Sequence, residues 1–182
     1  IIFVPILIFS VITIVILDGF PAVIKQTRVG LHGKTFNMYK LRTMKKNSHL
    51  ERNQLQELNE QSGPLFKIEN DPRIIKGTKF FRRFSLDEIP QLINVVKGEM
   101  SLVGPRPLFP EDNSYFDENY LRRLNVLPGI TGLLQINDRN TDDFNIWFKY
   151  DLEYIENWSL FLDLKILLKT PISMVSSKTK GR

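Results

Sequence analysis

At 182 residues the chain is long enough to bury the core of one domain, and its 25 Lys and Arg against 20 Asp and Glu leave it basic, at +5. That surplus suits anionic lipid headgroups, phosphorylated substrates or nucleic acid without separating them. The absence of cysteine excludes disulfides, thiolate metal sites and a Cys nucleophile, and His32 and His49 are too few for a His-based triad or a multi-His site, so a metal here would be a hard ion held by oxygen.

The first segment, Ile1 to Leu17, is apolar apart from Ser10 and Thr13, and contains Pro5. The chain opens on Ile1 inside that run and so reads as a fragment whose natural N-terminus is missing. If Pro5 breaks the helix, Ile6 to Leu17 cover about 18 Å, short of the roughly 30 Å hydrocarbon core, and the segment would dip into the membrane and return. An ordinary spanning helix clipped at its start fits equally. A buried soluble helix fits less well, because the stretch has no polar face. A charged n-region and a cleavage site are both absent, which excludes a signal peptide. The expected organisation is a membrane-embedded helix over 1–17 and a domain over 18–182. Asp18-Gly19-Phe20-Pro21 punctuates the run. Ala22 to Thr27 and Lys34 to Met44 then read as two strands of a small β-hairpin, joined by a loop with Gly30 and Gly33. Lys45 to Gly63 is polar and reads as an exposed helix or loop, with no chemistry assigned to it.

Leu86, Ile89, Ile93 and Val96 recur at helical spacing, with Lys97-Gly98 as a stop. Asp87, Gln91 and Asn94 share another face of that helix. Two readings of Asp87 and Glu88 stand side by side. One is structural: Ser85-x-x-Glu88 matches a capping box, although Pro90 would then sit inside the helix. With Asp87 as N-cap, Pro90 falls at the third helical position, where no donor is needed, and the carboxylate lies at the positive helix end. The other reading is catalytic. Arg106, held between Pro105 and Pro107, presents a guanidinium suited to phosphate oxygens. Arg82 and Arg83 precede the acidic pair, and Arg139 follows the turn-rich Pro128-Gly129-Ile130-Thr131-Gly132. Singly each arginine reads as a surface charge; together, beside two carboxylates, they point to a phosphorylated substrate.

Thr141 or Asp142 would cap a helix reaching about Asn157. Ser159 to Thr170 reads as a second helix ending at Pro171, with Lys165 and Lys169 on one face and leucines over much of the rest. It fits an interfacial helix with its lysines at the headgroups, or a core helix with two snorkelling lysines. Asp163, on its apolar part, needs a partner: an Arg or Lys, or a role in a site.

The runs Ser85-Leu86-Asp87-Glu88-Ile89-Pro90-Gln91-Leu92 and Lys97-Gly98-Glu99-Met100-Ser101-Leu102-Val103-Gly104-Pro105-Arg106-Pro107 closely resemble the bacterial sugar transferase family, the monotopic phosphoglycosyl transferases. Tyr39-Lys40-Leu41-Arg42-Thr43-Met44, Asp71-Pro72-Arg73, Pro128-Gly129-Ile130-Thr131-Gly132 and Leu162-Asp163-Leu164-Lys165 extend the likeness, in family order, over nearly the whole chain. The resemblance implies a mainly α fold with a small β-hairpin (α+β), held to the cytoplasmic face of a bacterial inner membrane by a re-entrant helix and interfacial helices. It implies transfer of a sugar-1-phosphate from a UDP-sugar to undecaprenyl or another polyprenyl phosphate, with release of UMP, as the first membrane step of glycan assembly. Asp87 is then the nucleophile and a ligand of Mg²⁺, Glu88 completes the dyad, and Arg82, Arg106, Arg139 and Asp163 lie in or beside the site. The family breaks its membrane helix at Ser-Pro, where this chain has Val4-Pro5, and it usually has Trp-Ala where Leu133-Leu134 stand and Gly where Asp138 stands. A non-catalytic membrane scaffold would keep the apolar segments without needing Asp87. A nucleic-acid binder, which the expectation excludes, would leave Ile1 to Leu17 unexplained. A homo-oligomer is left open.

Overall fold

A computed structural model describes residues 3–48, 55–59, 68, 71–115, 118–139, 141 and 143–176. The architecture is α+β and mainly helical, with one small antiparallel sheet. Helix α1, Phe3–Asp18, is apolar all round and runs without a break through Pro5. Pro5 is its third residue, where a proline costs no intrahelical bond; what precedes Phe3 lies outside the described residues. None of the described helices is long and apolar enough to cross a membrane.

Strands β1, Val23–Val29, and β2, Thr35–Leu41, form the expected hairpin, in register from Val23↔Leu41 to Val29↔Thr35. Its base packs on α1 through Ile14, Ala22, Leu41 and Phe81. Arg42 secures the corner. Its buried guanidinium pairs with the Asp18 carboxylate and donates to the carbonyls of Asp18 and Pro21, the latter at 2.6 Å. Most of the polar stretch from Lys45 to Gly63 lies outside the described residues; the part described includes a 3₁₀ turn at Gln56–Leu58.

The helix expected from Leu86 to Val96 is divided. After α2, Lys79–Arg83, Ser85 takes a left-handed conformation (φ 50°, ψ 25°). A 3₁₀ turn, Leu86–Gln91, follows, and only then α3, Leu92–Val96. Pro90, without an N–H, cannot close the α-helical bond to Leu86, and the tighter turn accommodates it. Neither capping reading holds: Ser85 makes no side-chain cap, and Asp87 is the second residue of the turn rather than its N-cap.

Strands β3, Ser101–Val103, and β4, Gly129–Thr131, form a short parallel ladder that the sequence reading did not foresee. Its close approach requires glycine: a Cβ on Gly129 would lie 2.1 Å from the Gly104 nitrogen, and one on Gly104 would lie 2.5 Å from the Leu127 carbonyl oxygen. Beyond α4, Glu118–Leu121, and the ladder come α5, Leu133–Asn137, α6, Phe144–Glu156, and α7, Leu160–Ser176. Val103, Leu133, Tyr154 and Ile166 form their shared core. Asp143, rather than Thr141 or Asp142, caps α6 by accepting from the Asn145 N–H at 2.8 Å. Helix α7 does not stop at Pro171 but continues to Ser176. Pro171 forfeits one backbone bond there, while packing along the rest of the helix is retained.

Candidate active site

The 3₁₀ turn buries both of its acidic side chains, leaving Asp87 3% and Glu88 8% exposed. Each is met by cations from distant parts of the chain. Lys40, near the end of β2, places its ammonium 2.9 Å from Asp87 Oδ2 and 3.5 Å from Glu88 Oε1. Arg106 donates to Glu88 Oε1 at 2.8 Å. Burial alone would raise the Glu88 carboxyl, yet the charges of Arg106 and Lys40 and the Arg106 hydrogen bond outweigh it and hold the group down to about 2. The same partnership holds the Arg106 guanidinium above its ordinary value, chiefly through the Glu88 charge.

The loop carrying Arg106 is fixed by two further arginines. Arg28 donates to the Pro107 carbonyl at 3.2 Å and stacks 3.4 Å from the Phe109 ring centroid. Burial, followed by the charge of Arg106, lowers it to about 9. Arg123 donates to the Arg106 carbonyl while its Nε lies 3.0 Å from Asp151 Oδ2 on α6. Neither residue has a local sequence signal for this task, since an isolated arginine in a strand or turn reads as surface charge.

Arg139 is close enough to feel the charges of both carboxylates. It donates to Ser85 Oγ at 2.8 Å and to the Arg82 carbonyl at 3.3 Å, so the serine proposed as a cap is instead an acceptor for the site's third cation. Burial lowers the Arg139 guanidinium. Arg82 lines the same cavity, whereas Arg83 has its side chain in solvent and contributes its carbonyl to Arg139. Asp163 stands apart. Its carboxylate accepts from Tyr154 Oη at 2.9 Å and from Trp158 Nε1 at 3.3 Å, and it is not among the residues lining the cavity. Of the two readings made for it, neither the ion pair nor the site contact is present among the described residues.

These groups lie in one cavity of about 710 Å³. Lys40, Asp87, Glu88, Arg82, Arg106 and Arg139 make its charged side. Leu102, Ile130, Leu134, Leu167 and Met174 make an apolar side, with Trp147 beside them. A phosphate-bearing molecule with an apolar portion matches both walls. The donor set also fits a hard divalent ion: two adjacent carboxylates face a position now taken by an ammonium. No group of three or more acidic or histidine side chains surrounds it among the described residues, so phosphates and water would supply its other ligands.

The profile of the family described as bacterial sugar transferase matches residues 1–177. The chain belongs to that family. The chain is 46% identical over 154 residues to the galactosyl transferase CpsE of Streptococcus agalactiae, covering 84% of this chain and 34% of that protein. It is 43% identical over 161 residues to the undecaprenyl-phosphate galactose phosphotransferase of Salmonella typhimurium, covering 84% and 33%. It is 37% identical over 169 residues to the UDP-glucose:undecaprenyl-phosphate glucose-1-phosphate transferase of Xanthomonas campestris, covering 87% and 32%. The chain thus spans about a third of the length of each of these relatives.

Proposed function

We propose that the chain is a phosphoglycosyl transferase that moves a sugar-1-phosphate from a UDP-sugar to a polyprenyl phosphate, with Asp87 as the covalent nucleophile. The observation that supports this most directly is a buried carboxylate pair, Asp87 held by Lys40 and Glu88 held by Arg106, in a cavity lined also by Arg139 and by apolar side chains. The names of the Salmonella and Xanthomonas relatives point to the same class of substrates.

In the first half-reaction an Asp87 carboxylate oxygen attacks the sugar-bearing β-phosphorus. The bond from that phosphorus to the bridging oxygen breaks, UMP departs with the electron pair, and a phosphosugar-aspartyl ester remains. In the second, an oxygen of the polyprenyl phosphate attacks the same phosphorus and the aspartyl–phosphorus bond breaks, regenerating the Asp87 carboxylate and releasing a polyprenyl diphosphosugar. Lys40, Arg106 and Arg139 serve as fixed positive charge against which two anions can approach each other. Mg²⁺, held by Asp87 with Glu88 beside it, would supply further charge neutralisation at the diphosphate. Glu88, held at about 2, is a poor proton acceptor at neutral pH. The acceptor phosphate, with a second pKa of about 6, needs little deprotonation. Glu88 therefore acts by orienting Arg106 and Lys40 and by binding metal, rather than as a general base.

The acceptor's tail stays in lipid, so the site must sit at headgroup depth. The outer faces of α1 and α7 suit that placement: Phe9 is 64%, Ile16 77%, Phe161 78%, Leu168 75% and Val175 73% exposed. On this reading α1 is part of a re-entrant segment, α7 lies in the interface, and the domain faces the cytoplasm of a bacterium. The test is UMP release from a panel of UDP-sugars with polyprenyl phosphate and Mg²⁺. Wild type is expected to release UMP and Asp87→Asn to fall to background. Wild type incubated with donor alone should carry a phosphosugar adduct on the Asp87 peptide by mass spectrometry. Full activity in Asp87→Asn would end the covalent scheme.

A further inference from the structure

We infer that Asn94 is a positioning residue, whose buried carboxamide holds the strand bearing Lys40 against the turn bearing Asp87. Among the described residues the sheet has two strands, so one edge of β2 has no strand beside it. On that edge Asn94 Oδ1 accepts from the Tyr39 N–H at 3.0 Å, and Asn94 Nδ2 donates to the Asn37 carbonyl at 2.8 Å. These are the two bonds that a neighbouring strand would make, supplied here by a single side chain. The amide's orientation is set independently: Nδ2 also donates to Glu99 Oε2 at 2.7 Å, an atom that only an N–H can approach. Asn94 is 0% exposed, so water cannot substitute for a lost bond.

Tyr39 immediately precedes Lys40, and Asn94 belongs to the same Leu86–Val96 segment as Asp87. The carboxamide therefore ties together the two backbones that carry the 2.9 Å Lys40–Asp87 ion pair. A lysine reaches its partner on a flexible four-carbon stem, and a strand held at both edges limits where that stem begins. For its effect on turnover the inference rests on the proposed role of Asp87. The positional link itself rests on these hydrogen bonds.

Two measurements on the full chain in detergent decide it. The first is the rate at which acetic anhydride acylates the Lys40 amine, followed peptide by peptide by mass spectrometry. Asn94→Ala leaves the Tyr39 N–H without an acceptor and is expected to raise the Lys40 rate about 10-fold, with Lys165 and Lys169 unchanged. The second is a double-mutant cycle on UMP release. Asn94→Ala is expected to lower kcat about 10-fold in the wild-type background and less than about 2-fold in a Lys40→Met background, since the residue acts through Lys40. An equal fall in both backgrounds, or unchanged acylation of Lys40, overturns the inference.

Should Asn94→Ala not fold, Asn94→Asp keeps an acceptor for Tyr39 but faces Glu99 with like charge. Adding Glu99→Gln, whose amide can donate, is expected to restore part of the lost protection of Lys40, the Asn37 carbonyl still lacking its donor. No restoration by that pair again overturns the inference. If wild type releases no UMP from any UDP-sugar, the reaction assigned above falls, and the acylation rates still decide the part played by Asn94.

Discussion

The ionisation of Glu88 is tied to the fold around the site. Its folded-state pKa lies at about 2, below the ordinary 4.5, because burial, which would raise it, is overcome by Arg106 and Lys40. A carboxyl depressed in this way binds fewer protons folded than unfolded. Its contribution to stability is therefore complete above pH 4.5 and is lost as the pH falls toward about 2. Urea midpoints are expected to decline through that window, and Glu88→Gln should flatten the decline; an unchanged profile would contradict the assignment. That the acidic pair, Arg106 and Arg139 come together around one cavity was legible, since charges placed beside Pro and Gly turns, and the likeness to a known family, both pointed to them. Lys40 was not singled out. A lysine on a hairpin strand has no local pattern that marks it, and only the docking of β2 on the 3₁₀ turn brings it to Asp87. Asp163 misled for the converse reason. The need for a partner was correctly read, but neutral Tyr154 and Trp158 satisfy it.

At the scale of elements, sequence pattern located α1, the hairpin, α6 and α7 but not the short α2, α4 and α5, and local chemistry shifted the ends of those it found. Pro90 turned half of a helix into a 3₁₀ turn, whereas Pro171, equally a breaker on paper, is carried inside α7. The difference is packing: α7 is anchored through Ile166, fully buried, with Leu162 and Leu167 packed against the same core. The opposite face of α7 is unpaired, with Phe161, Leu168 and Val175 each more than 70% exposed. Taking two large apolar side chains out of the proposed interface has a direct cost. Phe161→Asp combined with Leu168→Asp is expected to weaken binding to phospholipid vesicles by on the order of 100-fold or more, at about 1.5–3 kcal/mol per buried side chain. Sedimentation with vesicles measures it, and undiminished binding would remove α7 from the membrane contact.

For the molecule as a whole, the decisive join is the β3–β4 ladder. One side of the fold is α1 with the hairpin, built on Ile14, Leu41 and Phe81; the other is α5 to α7, built on Leu133, Tyr154 and Ile166. The loop that leaves the ladder at Gly104 carries Arg106 between them. Gly129→Ala would drive a methyl into the Gly104 backbone, and an overpacked contact of backbone on backbone has no flexible atom to yield. A loss of about 3 kcal/mol or more is expected by urea denaturation, at or beyond the usual limit for overpacking. A loss below about 1 kcal/mol would show that the ladder is not as tight as drawn. This join was not legible beforehand, because three-residue strands far apart in sequence leave no periodic trace.

The unpaired rows on α1 and α7 also govern how the chain behaves at the bench. In water, the exposed Phe9, Ile16, Phe161 and Leu168 call for cover by surfactant tails or by other copies of the same chain. Homogeneous preparations would thus depend on keeping micelles present at every purification step, and catalytic assays in plain buffer would report on aggregates rather than on the enzyme.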